Sequence, residues 1–382
     1  MLLTWKETIE YATVFRHELH ANPELTWNEH GTAKRIQKVL DDFNIEWKSC
    51  AKTGTVATLA KEQQGKHIAL RADIDALPIY EETNLPYASK NRGCMHACGH
   101  DGHSATLIAT AIWLKQNENR LKNPVTLLFQ PAEEGGHGAE EVLKEGVLKD
   151  VDEIYGWHNW PAIPLGQAVC PDGVIMAGNG TFEIELEGVG GHSSQPELCR
   201  DPILCGSTIV SSLQHIVSRR VPPQESAVVS VTSFEGKSGL TTIPNKVTLS
   251  GSIRISNMEL RRLIYDLIEE ICIDTAKAFG LSATIKCEPR YSPTINSPKV
   301  AHRVRELFYE ELGDEWKSDL LVPIMASEDF SYYLQNIEGA FMLIGSGDTQ
   351  STSKPCHSRY YDFNDELIEP VCRIMTKLAN LT

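Results

Sequence analysis

The stretch Val125-Thr126-Leu127-Leu128-Phe129-Gln130-Pro131-Ala132-Glu133-Glu134-Gly135-Gly136 runs from a short apolar segment straight into a glycine-rich turn that carries two adjacent carboxylates. Apolar on both faces and closed by a proline, Val125 to Gln130 reads as a strand buried within a sheet. Outward from it, helical patterns at Thr8 to Leu19, Ala33 to Leu40 and Thr106 to Leu114 alternate with short apolar runs such as His67 to Leu70. That alternation is an α/β reading, and in such sheets ligands bind where strands end.

From about Asn179 the period changes. Phe182, Ile184 and Leu186 alternate with Glu183, Glu185 and Glu187, the signature of a strand with one wet face. A helix pattern follows at Pro202 to Arg219, then strands at Ala227 to Phe234 and Val247 to Ile255, a helix at Leu260 to Phe279 and a strand at Ser282 to Cys287. This β-α-β-β-α-β order is ferredoxin-like. After Pro293 the α/β pattern returns, at Lys299 to Leu312, Ala340 to Ile344 and a helical tail beyond Asp365. The expected organisation is a first domain built from 1–178 and 293–382, with a smaller α+β domain inserted at 179–292.

The chain has 382 residues, 41% of them hydrophobic and 23% charged, the balance of a folded globular protein. Its formal net charge of −15 disfavours nucleic acid, whose phosphates are bound by displacing counterions with lysine and arginine. Lys6, Glu7 and Glu10 interrupt any leader-like apolar segment, and no run approaches the roughly 18 apolar residues of a membrane span, so a cytoplasmic location is expected. Ten scattered cysteines form no compact disulfide framework and read as reduced thiols.

The densest chemistry lies in His96-Ala97-Cys98-Gly99-His100-Asp101-Gly102-His103, with five potential metal donors broken by glycines. Thiolate beside imidazole suits zinc and its borderline neighbours better than magnesium or calcium. Cys98 admits three readings. A structural zinc finger lacks a second ligand pair, and a redox pair with Cys94 has a spacing one residue too long, so both rank below an open catalytic site. In the Glu133-Glu134 pair, one carboxylate can hold a cation while its neighbour faces the reacting water. His158, flanked by Trp157 and Trp160, and His357, before Tyr360 and Tyr361, each follow an apolar run.

Together with His20-Ala21-Asn22-Pro23-Glu24-Leu25, Arg71-Ala72-Asp73-Ile74-Asp75-Ala76-Leu77-Pro78, Gly190-Gly191-His192-Ser193 and Ser327-Glu328-Asp329-Phe330, these segments carry a resemblance over nearly the whole chain. It resembles the amidohydrolases related to hippurate hydrolase, N-acetyl-diaminopimelate deacetylase and the plant indole-acetyl-amino-acid hydrolases, within the aminoacylase and carboxypeptidase superfamily. The resemblance implies a mixed-sheet, di-metal peptidase-like catalytic domain with the ferredoxin-like domain as lid and dimerisation module. It implies that Cys98, His100, Glu134, His158 and His357 ligate two divalent ions (zinc, manganese, cobalt or nickel), and that Glu133 is the general base. Asp75 would orient a ligating group. His192, extended into a neighbouring subunit, would steady the oxyanion, and Asn245 and Arg254 would grip the substrate carboxylate. The implied reaction is hydrolysis of a small N-acyl amino acid by a homodimer.

Arg359 stands where relatives often have proline, and Trp157 and Asn159 flank His158 where they more often have aliphatic residues. These departures bear on substrate preference. A dipeptidase or carboxypeptidase on the same scaffold, and a protein that keeps the metals without catalysis, are the rival readings. Asp73 has the bland reading of a loop-bonding residue, Glu328 and Asp329 that of a helix start, and Arg254 that of an ordinary strand residue.

Overall fold

The computed structural model describes residues 2–348 and 352–380. They divide into two compact units: a larger one of Met1–Gly173, Ile295–Leu321 and Asp329–Thr382, and a smaller one of Val174–Thr294 with Val322–Glu328.

The larger unit is built on a seven-stranded mixed sheet, in the order Trp47–Cys50, Gly54–Leu59, Val125–Gln130, Ile68–Asp73, Glu153–Pro164, Glu338–Gly347, Ala168–Val169. Val125–Gln130, Ile68–Asp73, Glu153–Pro164 and Glu338–Gly347 run parallel, and the outer strands pair antiparallel. Every residue of Ile68–Asp73 and Val125–Gln130 is buried, which accounts for their largely apolar composition, and the strongly polar exceptions Arg71, Asp73 and Gln130 lie toward the strand ends. The edge hairpin Trp47–Cys50/Gly54–Leu59 lacks a sequence signal because its connection places Ala51 (φ 43°) and Lys52 (φ 65°) in the left-handed region, where asparagine or glycine is the usual mark.

Helix His100–Gln116 sits among helices Trp5–His20, His30–Asp42 and Ile368–Leu378 and against strand Ile68–Asp73. It is longer than the apolar pattern at Thr106 to Leu114 suggests, by two turns at its start. Those turns are polar yet buried, so no apolar stripe announces them. Gly99 caps the helix with φ 96°, and a side chain there would collide with Asn159 and Tyr361. Gly102 is equally fixed, since a Cβ would enter the ring of Phe363. The helix start is held by Asp101, fully buried, which pairs with Arg16 Nη1 at 3.3 Å and accepts from His20 Nδ1 at 2.8 Å. Arg16 is shared with Asp362 at 3.2 Å and Asp365 at 2.6 Å.

The smaller unit is a four-stranded antiparallel sheet ordered Ala227–Glu235, Lys246–Ile255, Gly178–Glu187, Ser282–Pro289, with helices Pro202–His215 and Met258–Ala278 packed on it. Connectivity and strand order are those of a ferredoxin-like module. Phe182, Ile184 and Leu186 lie buried against Val247, Leu249, Ile264 and Ile268, each full burial contributing about 1.5–3 kcal/mol. Both helices start where the sequence offers a cap: Asp201 accepts from Ile203 N–H at 2.8 Å with Pro202 in the first turn, and Asn257 accepts from Leu260 N–H at 3.0 Å. Val322–Glu328 joins this unit through the bond from Ala177 N–H to the Ile324 carbonyl, 2.9 Å.

Burial disfavours charge on His20, yet Asp101 and Glu81 outweigh it and push the imidazole up to about 9, from an ordinary 6.5. The stabilisation is therefore complete below about pH 6.5 and lost as pH rises through 9. Asp101→Ala, which strips a buried cation of its partner, should cost roughly 3–5 kcal/mol in chemical denaturation. It should also flatten the loss of stability that the unmodified protein shows over that window; an unchanged pH profile would contradict the pairing.

Candidate metal centre

A helix start, a strand end, the interior of a second strand and the segment that carries His357 converge in the larger unit. Cys98 and His100 flank Gly99 at the start of helix His100–Gln116, Glu133 and Glu134 follow strand Val125–Gln130, and His158 lies within strand Glu153–Pro164. His357 is brought alongside by its N–H, which donates to the Ala97 carbonyl at 2.7 Å. Cys98 Sγ is 3.2 Å from His158 Nε2 and 3.4 Å from His357 Nε2, and His357 Nε2 is 3.3 Å from Glu134 Oε1. All five expected ligands thus share one neighbourhood.

The donor atoms of Cys98, His100 and His158 lie within 4.8 Å of one another, as do those of Cys98, Glu134 and His357. Cys98 is common to both groups. A third group of the same tightness, His100 with Glu133 and Glu134, brings Glu133 to the same place. His158 Nδ1 donates to the Asn159 carbonyl at 2.6 Å, and His100 Nδ1 donates to that of Asp75 at 2.9 Å. These bonds turn both Nε2 atoms inward. His100 Nε2 and Glu134 Oε1 are buried without a hydrogen-bond partner, as lone pairs that face a cation would be.

The field is negative. Burial disfavours a charged His100, but Asp73, Asp75 and Glu134 more than offset it and push its pKa up to about 10. His158, where burial and the neighbouring His103 act together, is held well below the usual histidine range and stays neutral. The Cys98 thiol is pushed up by its hydrogen bond with Cys356, by burial and by Glu134. Sulfur, imidazole and carboxylate donors gathered in one buried spot fit a pair of borderline divalent cations.

Asp75 organises the carboxylate side. Its Oδ1 accepts from Glu133 N–H at 3.1 Å, and its Oδ2 accepts from Glu134 N–H at 2.9 Å and Thr26 Oγ1 at 2.8 Å. Just before them Ala132 is left-handed (φ 57°), held by Glu29, which accepts its N–H at 2.9 Å; His357 is left-handed too, with φ 66°. Such backbone persists only where its surroundings over-determine it, and here both cases border ligating positions.

Of the five donors in the His96 to His103 cluster, Cys98 and His100 face the centre, Asp101 and His103 are engaged by other side chains, and both ring nitrogens of the buried His96 lack a hydrogen-bond partner. His103 bridges Asp73 Oδ1 and Asn159 Oδ1, each at 2.7 Å. Asp73 is no loop bond: it pairs with Arg71 at 2.5 Å, and Arg71 reaches Asp329 at 3.0 Å. Asp329 also accepts from Gln130 at 2.8 Å and Ala139 N–H at 2.9 Å, so it braces the Glu133 turn, and it stands just ahead of the short helix Ser331–Leu334, its carbonyl accepting from Tyr332 N–H at 2.9 Å. Sequence reasoning missed this layer because each partner lies on a different element; the alternation of charge in Arg71-Ala72-Asp73 was the signal available.

In the smaller unit His192 is exposed on the two-residue strand Gly191–His192, which pairs with Thr242–Ile243, and its Nδ1 accepts from Ser194 Oγ at 2.7 Å. Asn245 Oδ1 accepts from Gly190 N–H at 2.8 Å, holding the glycine pair before His192. Arg254 Nη1 donates to Ser327 Oγ at 2.9 Å.

With this geometry in place, comparison with known proteins gives a concordant answer. Residues 69–381 match the model of the peptidase family M20/M25/M40. The chain is 40% identical over 336 residues to the N-acetyl-L-cysteine deacetylase of Bacillus subtilis, covering 87% of this chain and 79% of that one. It is 38% identical over 368 residues to the hippurate hydrolase of Campylobacter jejuni, covering 95% and 94%. Among solved structures, the YXEP protein of Bacillus subtilis, described as a dinuclear metal binding peptidase from the M20 family, superposes with a TM-score of 0.84 at 32% identity over 98% of each chain. The protein belongs to the peptidase family M20/M25/M40 and is a hydrolase of that family.

Proposed function

We propose that the protein hydrolyses the amide bond of N-acyl amino acids, N-acetyl forms foremost, releasing a carboxylate and a free amino acid. The observation that carries this reading is the buried Glu133 standing beside two three-donor groups that share Cys98. The relatives named for deacetylating N-acetyl-L-cysteine and for hydrolysing hippurate support the substrate class.

Cys98, His100, Glu134, His158 and His357 would hold two divalent ions, drawn from zinc, manganese, cobalt or nickel. When bound, such a pair supplies Lewis acidity that lowers the pKa of a water toward neutrality and polarises the acyl carbonyl. Glu133 takes the proton of that water as its oxygen attacks the acyl carbon, and returns it to the amine as the C–N bond breaks. Asp75 keeps both glutamates in register through their N–H groups. His192, delivered by a second copy of the chain in a homodimer formed through the smaller unit, donates to the developing oxyanion. Asn245 and Arg254 grip the carboxylate of the amino acid. A cytoplasmic setting is in keeping with ten free cysteines.

Glu133→Gln should lower kcat by roughly 100- to 10,000-fold while metal content stays that of the unmodified protein. Full turnover in that variant with metals bound would remove Glu133 from the reaction. On metal-analysed protein, a side-by-side panel of N-acetyl amino acids and unblocked dipeptides should show kcat/KM concentrated in the acylated set. Preference for the dipeptides would replace the proposal with a peptidase.

A further inference from the structure

Cys356 is the residue before His357; it packs at the margin of the larger unit's core, and the proposed reaction does not use it. It is half-buried, whereas Cys98 is buried. The bond from His357 N–H to the Ala97 carbonyl lays the two backbones side by side, one residue from each cysteine. Cys356 Sγ lies 4.0 Å from the Cys98 carbonyl oxygen and the same distance from Asn159 Nδ2. Cys356 is also first among the groups that raise the pKa of the Cys98 thiol. A disulfide needs Cα atoms roughly 4.4–6.8 Å apart and side chains that converge, and backbones laid side by side with the Cys356 sulfur 4.0 Å from the Cys98 carbonyl bring the two cysteines into that neighbourhood. The partner that the sequence suggested for Cys98 was Cys94; the fold supplies Cys356 instead, from 258 residues away.

We propose that Cys98 and Cys356 form a reversible disulfide when the centre holds no cation, so that peroxide or a disulfide oxidant locks the protein in a form unable to load metal. With hydrogen peroxide the chemistry balances in two steps. The more accessible Cys356 sulfur attacks one peroxide oxygen, the O–O bond breaks, and one water leaves after proton transfer, giving a sulfenic acid. The Cys98 sulfur then attacks the Cys356 sulfur, the S–O bond breaks, a second water leaves, and an S–S bond remains. Two thiols lose two electrons and two protons, and one peroxide becomes two waters. A dithiol reductant reverses the step by exchange.

The consequence follows from Cys98 being common to both donor groups. A sulfur tied up in a disulfide ligates neither cation, so one covalent bond empties both positions. Conversely, bound cations hold the Cys98 sulfur away from Cys356 and oppose the crosslink by mass action. Protection by cations rests on Cys98 being a ligand, as proposed above, whereas the crosslink in stripped protein does not.

The test uses the full-length protein in two forms, stripped with a chelator and loaded with zinc. Each is exposed to hydrogen peroxide, digested without reduction and mapped by mass spectrometry. A peptide pair joined through Cys98 and Cys356 should form in the stripped protein and vanish with dithiothreitol, and zinc uptake should be lost and regained in step with it. The same pair should be several-fold rarer in the zinc-loaded protein. Cys356→Ser should retain zinc uptake after a peroxide dose that abolishes it in the unmodified chain. Absence of the joined pair in stripped, oxidised protein overturns the proposal, as does loss of uptake in Cys356→Ser at the same dose. A crosslink that forms equally with zinc bound would leave the disulfide standing and refute the assignment of Cys98 as a ligand.

Discussion

One buried carboxylate ties the centre together. Asp75 receives the N–H groups of both Glu133 and Glu134 and lies 3.3 Å from His100 Nδ1, so one side chain sets the glutamate turn against the helix that begins at His100. Without it, the turn after Val125–Gln130 and the start of His100–Gln116 would have no common reference. Burial alone would raise the pKa of Asp75, but the hydrogen bonds it accepts, from His100 first, hold it below the usual carboxylate range, so it keeps the charge this task requires.

Around that reference the unit concentrates buried carboxylates. Arg71 is spent on Asp73 and Asp329, and Arg16 on Asp101, Asp362 and Asp365. Glu133, Glu134 and Asp75 stand beside the Cys98 thiol and the imidazoles of His100, His158 and His357, and the carboxylates favour a proton on His100. Carboxylates gathered in a buried spot are costly unless cations complete them.

Much of this was legible in the chain. Val125 to Gln130 and the alternating Phe182 to Glu187 disclosed the two kinds of sheet, because burial on two faces and on one face leave different periods. The donor cluster and the Glu133-Glu134 turn pointed to the candidate centre, since five potential metal donors in a glycine-broken segment have few packing explanations. The supporting layer was not legible. Asp101 and His103 read as further donors, yet the fold spends them on Arg16, His20, Asp73 and Asn159. Local sequence carries no record of partners that arrive from elements hundreds of residues away, and the approach of Cys356 to the Cys98 backbone is the clearest instance.

The proposed reaction requires Cys98, His100, Glu134, His158 and His357 to hold two divalent cations, with Cys98 common to both donor groups. Titration of metal-stripped, reduced protein with cobalt(II), followed by absorption, tests this directly. It should saturate at two equivalents per chain and develop a sulfur-to-cobalt charge-transfer band that is absent from Cys98→Ser. Saturation at one equivalent, or a charge-transfer band that survives the loss of Cys98, would contradict it.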